Sequence, residues 1–174
     1  MWPRIFDPKL RRNRRRYVAQ VGLASVALFS VLWAEDLLTG AVAAQAVLVA
    51  AIASTSFVLF IMPHSDTARP RHAIGGHVVA LAVGVAFSSF ADTELGRETV
   101  GDEAVLFALY AAVGVGLSMF LMAATNTEHP PAAGTALGVL GTTASIELVL
   151  FVLTSAVMLV LIHLVFRRRL INLY

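Results

Sequence analysis

The chain has 174 residues, 58% hydrophobic and 14% charged, with a formal net charge of +2 and a mean hydropathy of +0.79. These values exclude an ordinary soluble domain, and the lack of cysteine excludes a disulfide scaffold and a thiolate-ligated metal. Because the charges are segregated between long uncharged runs, the chain reads as an all-α, polytopic helical membrane protein.

In chain order, residues 1–16 form a basic arm, with Arg4, Lys9, Arg11, Arg12, Arg14, Arg15 and Arg16 against Asp7 alone. A basic run invites nucleic acid. Placed directly ahead of an apolar segment it reads instead as a topology signal that touches anionic lipid, and no nucleic-acid partner is expected. Uncharged runs follow at Tyr17–Ala34, Leu37–Pro63, Ala73–Ala91, Ala104–Thr127 and Pro130–Ile146, and after Glu147 at Leu148–Phe166. With about 20 apolar residues per crossing, they give about six membrane segments. The fifth is short or broken: Pro131–Ile146 reaches only about 24 Å as a helix, and Gly141-Thr142-Thr143 is a turn signal within it.

The positive-inside rule places the arginine arm, Arg69 and Arg71, Asn126–His129 and the cluster Arg167–Arg169 in the cytoplasm. Glu35, Asp36 and the acidic stretch Asp92–Glu103 then face outward, and Glu147 sits in the first turn of the last helix. Both termini are cytoplasmic, and the inner (plasma) membrane of a bacterium or archaeon is the expected location. The organisation is a basic arm (1–16), a transmembrane domain (17–166) and a basic tail (167–174). Trp2, Trp33 and Tyr174 suit the membrane interface. Gly22, Gly84, Gly114, Gly116, Gly134, Gly138 and Gly141 suit close helix packing, within one chain or in a homo-oligomer.

Two stretches sixty positions apart resemble each other. Phe60, Met62, Thr67, Pro70 and Ala73 recur as Phe120, Met122, Thr127, Pro130 and Ala133. In each, an apolar helix stops at a polar loop and a proline opens a small-residue helix. Two crossings separate them, so they read as parallel repeats. Such helix starts aim backbone N–H groups into the membrane, a setting for an anion. The candidate site is therefore the N–H groups around Arg71–Gly76 and Pro131–Thr135. Arg69 and Arg71 concentrate anions at its mouth, and Gly75 and Gly76 allow close approach. His72, His77 and His129 donate hydrogen bonds, Asn126, Thr127 and Thr135 add neutral polar contacts, and Pro130 and Pro131 open the second helix. His77 stands out because it lies inside a membrane segment, where ionisable groups face a cavity or a partner. Glu128 is expected to pair with Arg69 or Arg71. The histidines, His64 among them, also invite a metal, but no HxxxH or HExxH spacing occurs. No metal, cofactor or catalytic constellation is expected, so the chain does not read as an enzyme.

The segments EHPPAAGTAL (Glu128–Leu137) and PRHAIGGH (Pro70–His77) resemble the two signatures of the HPP family of integral membrane proteins, named for a His-Pro-Pro motif matching His129-Pro130-Pro131. The resemblance spans about residues 20–166. It implies a compact helical membrane domain, and the family's plant chloroplast and cyanobacterial members are associated with nitrite transport. The chain departs from the family pattern at Arg69 and His72, where glutamine and asparagine are usual. The reading is a transporter or channel for a small monovalent anion, nitrite first. The alternatives are a membrane scaffold or sensor that docks a cytosolic partner, and a membrane metalloenzyme using the histidines.

Overall fold

Prolines and polar turns set the helix boundaries. In the computed structural model, which describes residues 8–39, 45–100 and 103–173, the helices are α1 (Pro8–Thr39), α2 (Ala46–Ile61), α3 (Pro70–Ala91), α4 (Glu94–Val100), α5 (Ala104–Thr125), α6 (Pro130–Leu140) and α7 (Ile146–Phe166). Short 3-10 turns lie at Asp66–Ala68 and Arg167–Arg169, and there is no strand among the described residues. Pro63 follows the end of α2, while Pro70 and Pro130 occupy first helical positions, where a missing N–H breaks no helical bond. α5 ends on Asn126 in the left-handed conformation (φ 53°). The Thr127 N–H reaches the Met122 carbonyl and the Asn126 N–H that of Ala123. Both hydrogen bonds of a Schellman motif are thus made, with asparagine in glycine's usual place.

Four stretches are long and apolar enough to cross a membrane: Asn13–Leu37, Pro70–Ala91, Ala104–Thr125 and Ile146–Arg169. α2 is apolar but shorter, with 16 residues, or about 24 Å. α6 has 11 residues, about 16 Å, and ends at Gly141, as the turn signal there suggests. The spans of α3 and α7 are 44% buried, against 17% for α1 and 22% for α5, so α1 and α5 are peripheral. α7 buries Leu148, Phe151, Val152, Ser155, Ala156, Leu159, Val160 and His163, the three-four spacing of one helix face.

Small residues seat α6 in the middle of the bundle. On its α3 side, a Cβ added at Gly76 would lie 2.7 Å from the His129 Cβ, and one at Gly84 would lie 2.7 Å from the Val139 Cβ. Ala80, Ala132 and Ala136 pack between these points with Met122. On its α2 side, Gly134 faces Ala51 and Gly138 faces Leu48. Backbones approach closely where side chains are small, which is how helices associate in lipid. Gly22 and Gly116 have nothing within 4 Å of an added Cβ, so they take no part in this packing.

One end of the bundle gathers the basic termini and two loops. Leu173 N–H donates to the Ile61 carbonyl. Tyr17 donates to the Leu173 carbonyl, and Gln20 bridges Phe60 and Ile171. The opposite end holds α4, capped by the Thr93 hydroxyl, and the Ser88 hydroxyl, which donates to the Thr142 carbonyl.

Three expectations change here. The basic arm continues α1 as helix from Pro8, interrupted by non-helical backbone at Asn13, because arginine and lysine are good helix formers. The acidic stretch expected to face outward contains α4, Glu94–Val100. Glu35 is not an outward-facing loop carboxylate: α1 runs on to Thr39, and Glu35 is buried against α7, accepting from the Thr154 hydroxyl. Glu147 does lie in the first turn of α7, after an N-cap made by Ser145. Trp33 is exposed and stacks on Phe29. Trp2, Arg4 and Tyr174 lie outside the described residues.

Candidate functional site

The packing of α6 against α3 brings together side chains that are far apart in sequence. His77 and His129, fully buried, meet edge to face with ring centroids 5.3 Å apart. Thr55, near the middle of α2, inserts its hydroxyl between them, 2.9 Å from His77 Nε2 and 3.1 Å from His129 Nε2. The Thr135 hydroxyl lies 2.9 Å from His77 Nδ1, and His129 Nδ1 lies 2.9 Å from the Thr67 carbonyl. A continuous hydrogen-bonded chain therefore runs from Thr135 through His77, Thr55 and His129 to Thr67. Thr55, His77 and Thr135 are 0% exposed and His129 1%. Paired buried polar groups of this kind rigidify a core, whereas an unpaired one costs about 1–3 kcal/mol. His129 caps α6 outside the four long spans. Burial pushes its pKa down to about 4, the Thr67 carbonyl offsetting part of that effect and His72 adding to it. It is neutral near pH 7.

The chain reaches a polar pocket at Thr67. The pocket, about 550 Å³, is lined by Asp66, Thr67, Arg69, His72, Asn126 and Glu128, so the loops before α3 and before α6 both contribute. Its charges are matched. Arg69 pairs with Asp66 at 2.7 Å, and His72 Nδ1 lies 3.5 Å from the Glu128 carboxylate and 3.2 Å from its carbonyl. Arg69 and Asp66 are 61% and 74% exposed, and such a surface pair is worth about 0–1 kcal/mol, so it opens readily. Arg71 is exposed and donates to the Thr125 carbonyl at 3.0 Å. Thr127 is buried and shares a hydrogen bond with the Thr125 hydroxyl.

This geometry corrects three expectations. The helix starts offer fewer free N–H groups than foreseen. Pro130 and Pro131 have none, the Ala132 N–H is taken by the His129 carbonyl, and those of His72 and Ala73 by the Arg69 carbonyl. The polar groups on offer are side chains. Next, Gly75 and Gly76 approach protein and not a ligand: their hydrogens face Thr127 and His129. Finally, Glu128 pairs with His72 and neither arginine, because Asp66 holds Arg69. His64 takes no part in that chain, its ring bonded to the Leu170 carbonyl. No cluster of metal-binding side chains occurs among the described residues. Thr55 was missed by sequence reasoning: it is the middle of Ser54-Thr55-Ser56, and nothing in that triplet says which hydroxyl faces the histidines.

The family model for the HPP transmembrane region matches residues 10–172. The chain is also 33% identical over 91 residues to a transmembrane protein of Dictyostelium discoideum, a match that covers 52% of this chain and 29% of that one. The chain thus spans less than a third of that relative's length. No solved structure matches it.

Proposed function

The chain belongs to the HPP transmembrane family, and on that premise we propose that it moves a small monovalent anion, nitrite first, across the membrane. Nitrite leads because family members in chloroplasts and cyanobacteria are associated with it. The observation that carries the reading is the buried chain from Thr135 to Thr67, which reaches the polar pocket between the two repeat loops. Ionisable groups at membrane depth mark substrate paths, because an idle imidazole there is costly.

In this mechanism an anion at the pocket displaces Asp66 from the exposed Arg69 guanidinium. Thr67 and Thr127 lie next on the way inward. Hydroxyl and imidazole N–H groups of Thr55, His77 and Thr135 then replace part of its hydration, since the helix starts offer few free amides. The path is shut in this conformation where His129 packs on Gly76, so transport requires α6 to move against α3.

The same reading has six crossings, α2 and α6 being the short ones, with both termini cytoplasmic and the basic ends on anionic lipid. The repeats are parallel: α2 packs on α6 as α5 packs on α3, around a central α3–α6 contact. A scaffold that presents His129 to a cytosolic partner fits less well, since that imidazole is buried.

The test is nitrite uptake into proteoliposomes, with chloride, nitrate and formate as competitors. Saturable uptake that Thr135→Val lowers by about tenfold or more supports the path, since a buried hydrogen-bonding partner is lost there. No uptake of any of these anions by folded protein defeats the transport reading.

A further inference from the structure

The hydrogen bonds along the buried chain have a fixed direction. A carbonyl only accepts, so neutral His129 carries its proton on Nδ1, donating to Thr67, and its Nε2 must accept. The Thr55 hydroxyl is the donor within reach of that nitrogen. With its one hydrogen spent, Thr55 Oγ1 accepts from His77 Nε2–H, and His77 Nδ1 accepts from the Thr135 hydroxyl. Every donor points from Thr135 toward the pocket, and the two histidines hold opposite tautomers.

Thr55 has a second acceptor available. Its hydroxyl also lies 3.0 Å from the Ala51 carbonyl. When His129 holds two protons, the Thr55 hydrogen turns onto Ala51 and Oγ1 accepts from both rings. Neither charge state leaves a buried group in the chain without a partner, a property that static packing alone would not require.

We propose that this chain is a proton relay, with the Thr55 hydroxyl as its rotor, delivering protons toward the Asp66–Glu128 pocket. A proton arriving at Thr135 Oγ1 releases the Thr135 hydrogen to His77 Nδ1. His77 gives up its Nε2 proton to Thr55, whose own hydrogen passes to His129 Nε2. His129 then releases its Nδ1 proton to water in the pocket beside Thr67. One proton enters, one leaves, and no electrons move. The chain is left reversed, with a bare Nδ1 facing the Thr67 carbonyl, and it resets when movement of α6 opens it to water, which gives each ring a proton on its bare nitrogen and takes the one from the other nitrogen.

Each end of the relay lies near a cavity, charged at the near end and largely apolar at the far end. At the far end, a pocket of about 410 Å³ is lined in part by Gln45, Leu48, Gly138 and Thr142, one helical turn beyond Thr135. Gln45 Oε1 is buried there with no partner among the described residues, an acceptor suited to water. Leu48 against Gly138 separates that pocket from Thr135. At the near end the titratable groups are Asp66 and Arg69, which pair, and His72, which lies beside Glu128. α2 and α6 bring Thr55 and Thr135 against the rings and no charge of their own. The relay rests on the transport reading for its purpose, proton-coupled anion movement, but its test does not need the anion.

The test has two arms. In bilayers at about pH 7, 15N-histidine spectra, assigned through His77→Gln and His129→Gln difference spectra, should show His129 protonated on Nδ1 and His77 on Nε2. The same tautomer at both sites overturns the directed chain. In nitrite-free vesicles with an imposed potential, the native chain should conduct protons above protein-free vesicles. Thr55→Val should lose roughly a hundredfold of that flux, the scale for removing a proton-transfer group, and Thr55→Ser should stay within about threefold because a hydroxyl remains. Native flux at the protein-free level overturns the relay even where nitrite uptake is intact. Proton flux without any nitrite uptake supports the relay and removes the anion reading.

Discussion

At the residue scale, chemistry and packing compete for the same positions. Gly76 sits one residue before His77, and its missing side chain is what lets His129 come within reach of Thr55. Gly76→Ala puts a Cβ 2.7 Å from the His129 Cβ and 2.9 Å from the Thr127 carbonyl. Both neighbours are anchored to backbone, so α6 must back away. The expected cost is about 1–3 kcal/mol, the usual penalty of overpacking, read as a lower melting temperature in detergent. Gly116→Ala meets nothing within 4 Å and should stay within about 0.5 kcal/mol of native. Equal effects of the two substitutions would sink this account of the α3–α6 contact. His77 was legible in the sequence because an ionisable residue in an apolar run is conspicuous. His129 and Thr135 were named too, from the second helix start, but their contact with His77 was not readable across fifty-odd positions, and Thr55 in α2 was missed.

At the element scale, the prolines that open α3 and α6 were readable and so was the break at Gly141, since both follow from backbone chemistry. The inference drawn from the second of these starts was wrong for the same reason. A double proline removes two of the amides that an anion would use, leaving α6 a start with few free donors. The docked C-terminal segment was not readable, because extended backbone carries no periodicity. Gln20, 4% exposed in α1, holds that segment by accepting from the Ile171 N–H and donating to its carbonyl. Gln20→Ala leaves the Ile171 groups and the Phe60 carbonyl to other partners, at a cost of about 1–3 kcal/mol. Carboxypeptidase should then trim Ile171–Leu173 faster than in the native chain. An unchanged trimming rate would mean that Tyr17 and His64 suffice to hold the tail.

At the scale of the whole molecule, the segregation of charge is enough to assign the membrane class, and the family match agrees with it. Burial was harder to foresee. All the long helices are apolar on every side, so pattern alone could not tell the central α3 and α7 from the peripheral α1 and α5. The cysteine-free chain makes the proposed sidedness easy to probe. Single substitutions Glu128→Cys and Arg168→Cys should react with an impermeant maleimide from one side of the membrane, and Glu98→Cys from the other. Labelling of all three from the same side would exclude six crossings with both termini cytoplasmic.

The central claim is that the buried Thr–His chain is the transport path. Nitrite uptake by vesicles holding the native chain, Thr55→Ser or Thr55→Val, each with a native-like melting temperature, addresses it most directly. The account predicts uptake within about threefold of native for the serine variant, which keeps a hydroxyl between the rings, and a loss of about tenfold or more for valine, which does not. Native-rate uptake by the valine variant would contradict it, because a path through that chain cannot survive the loss of its central hydroxyl.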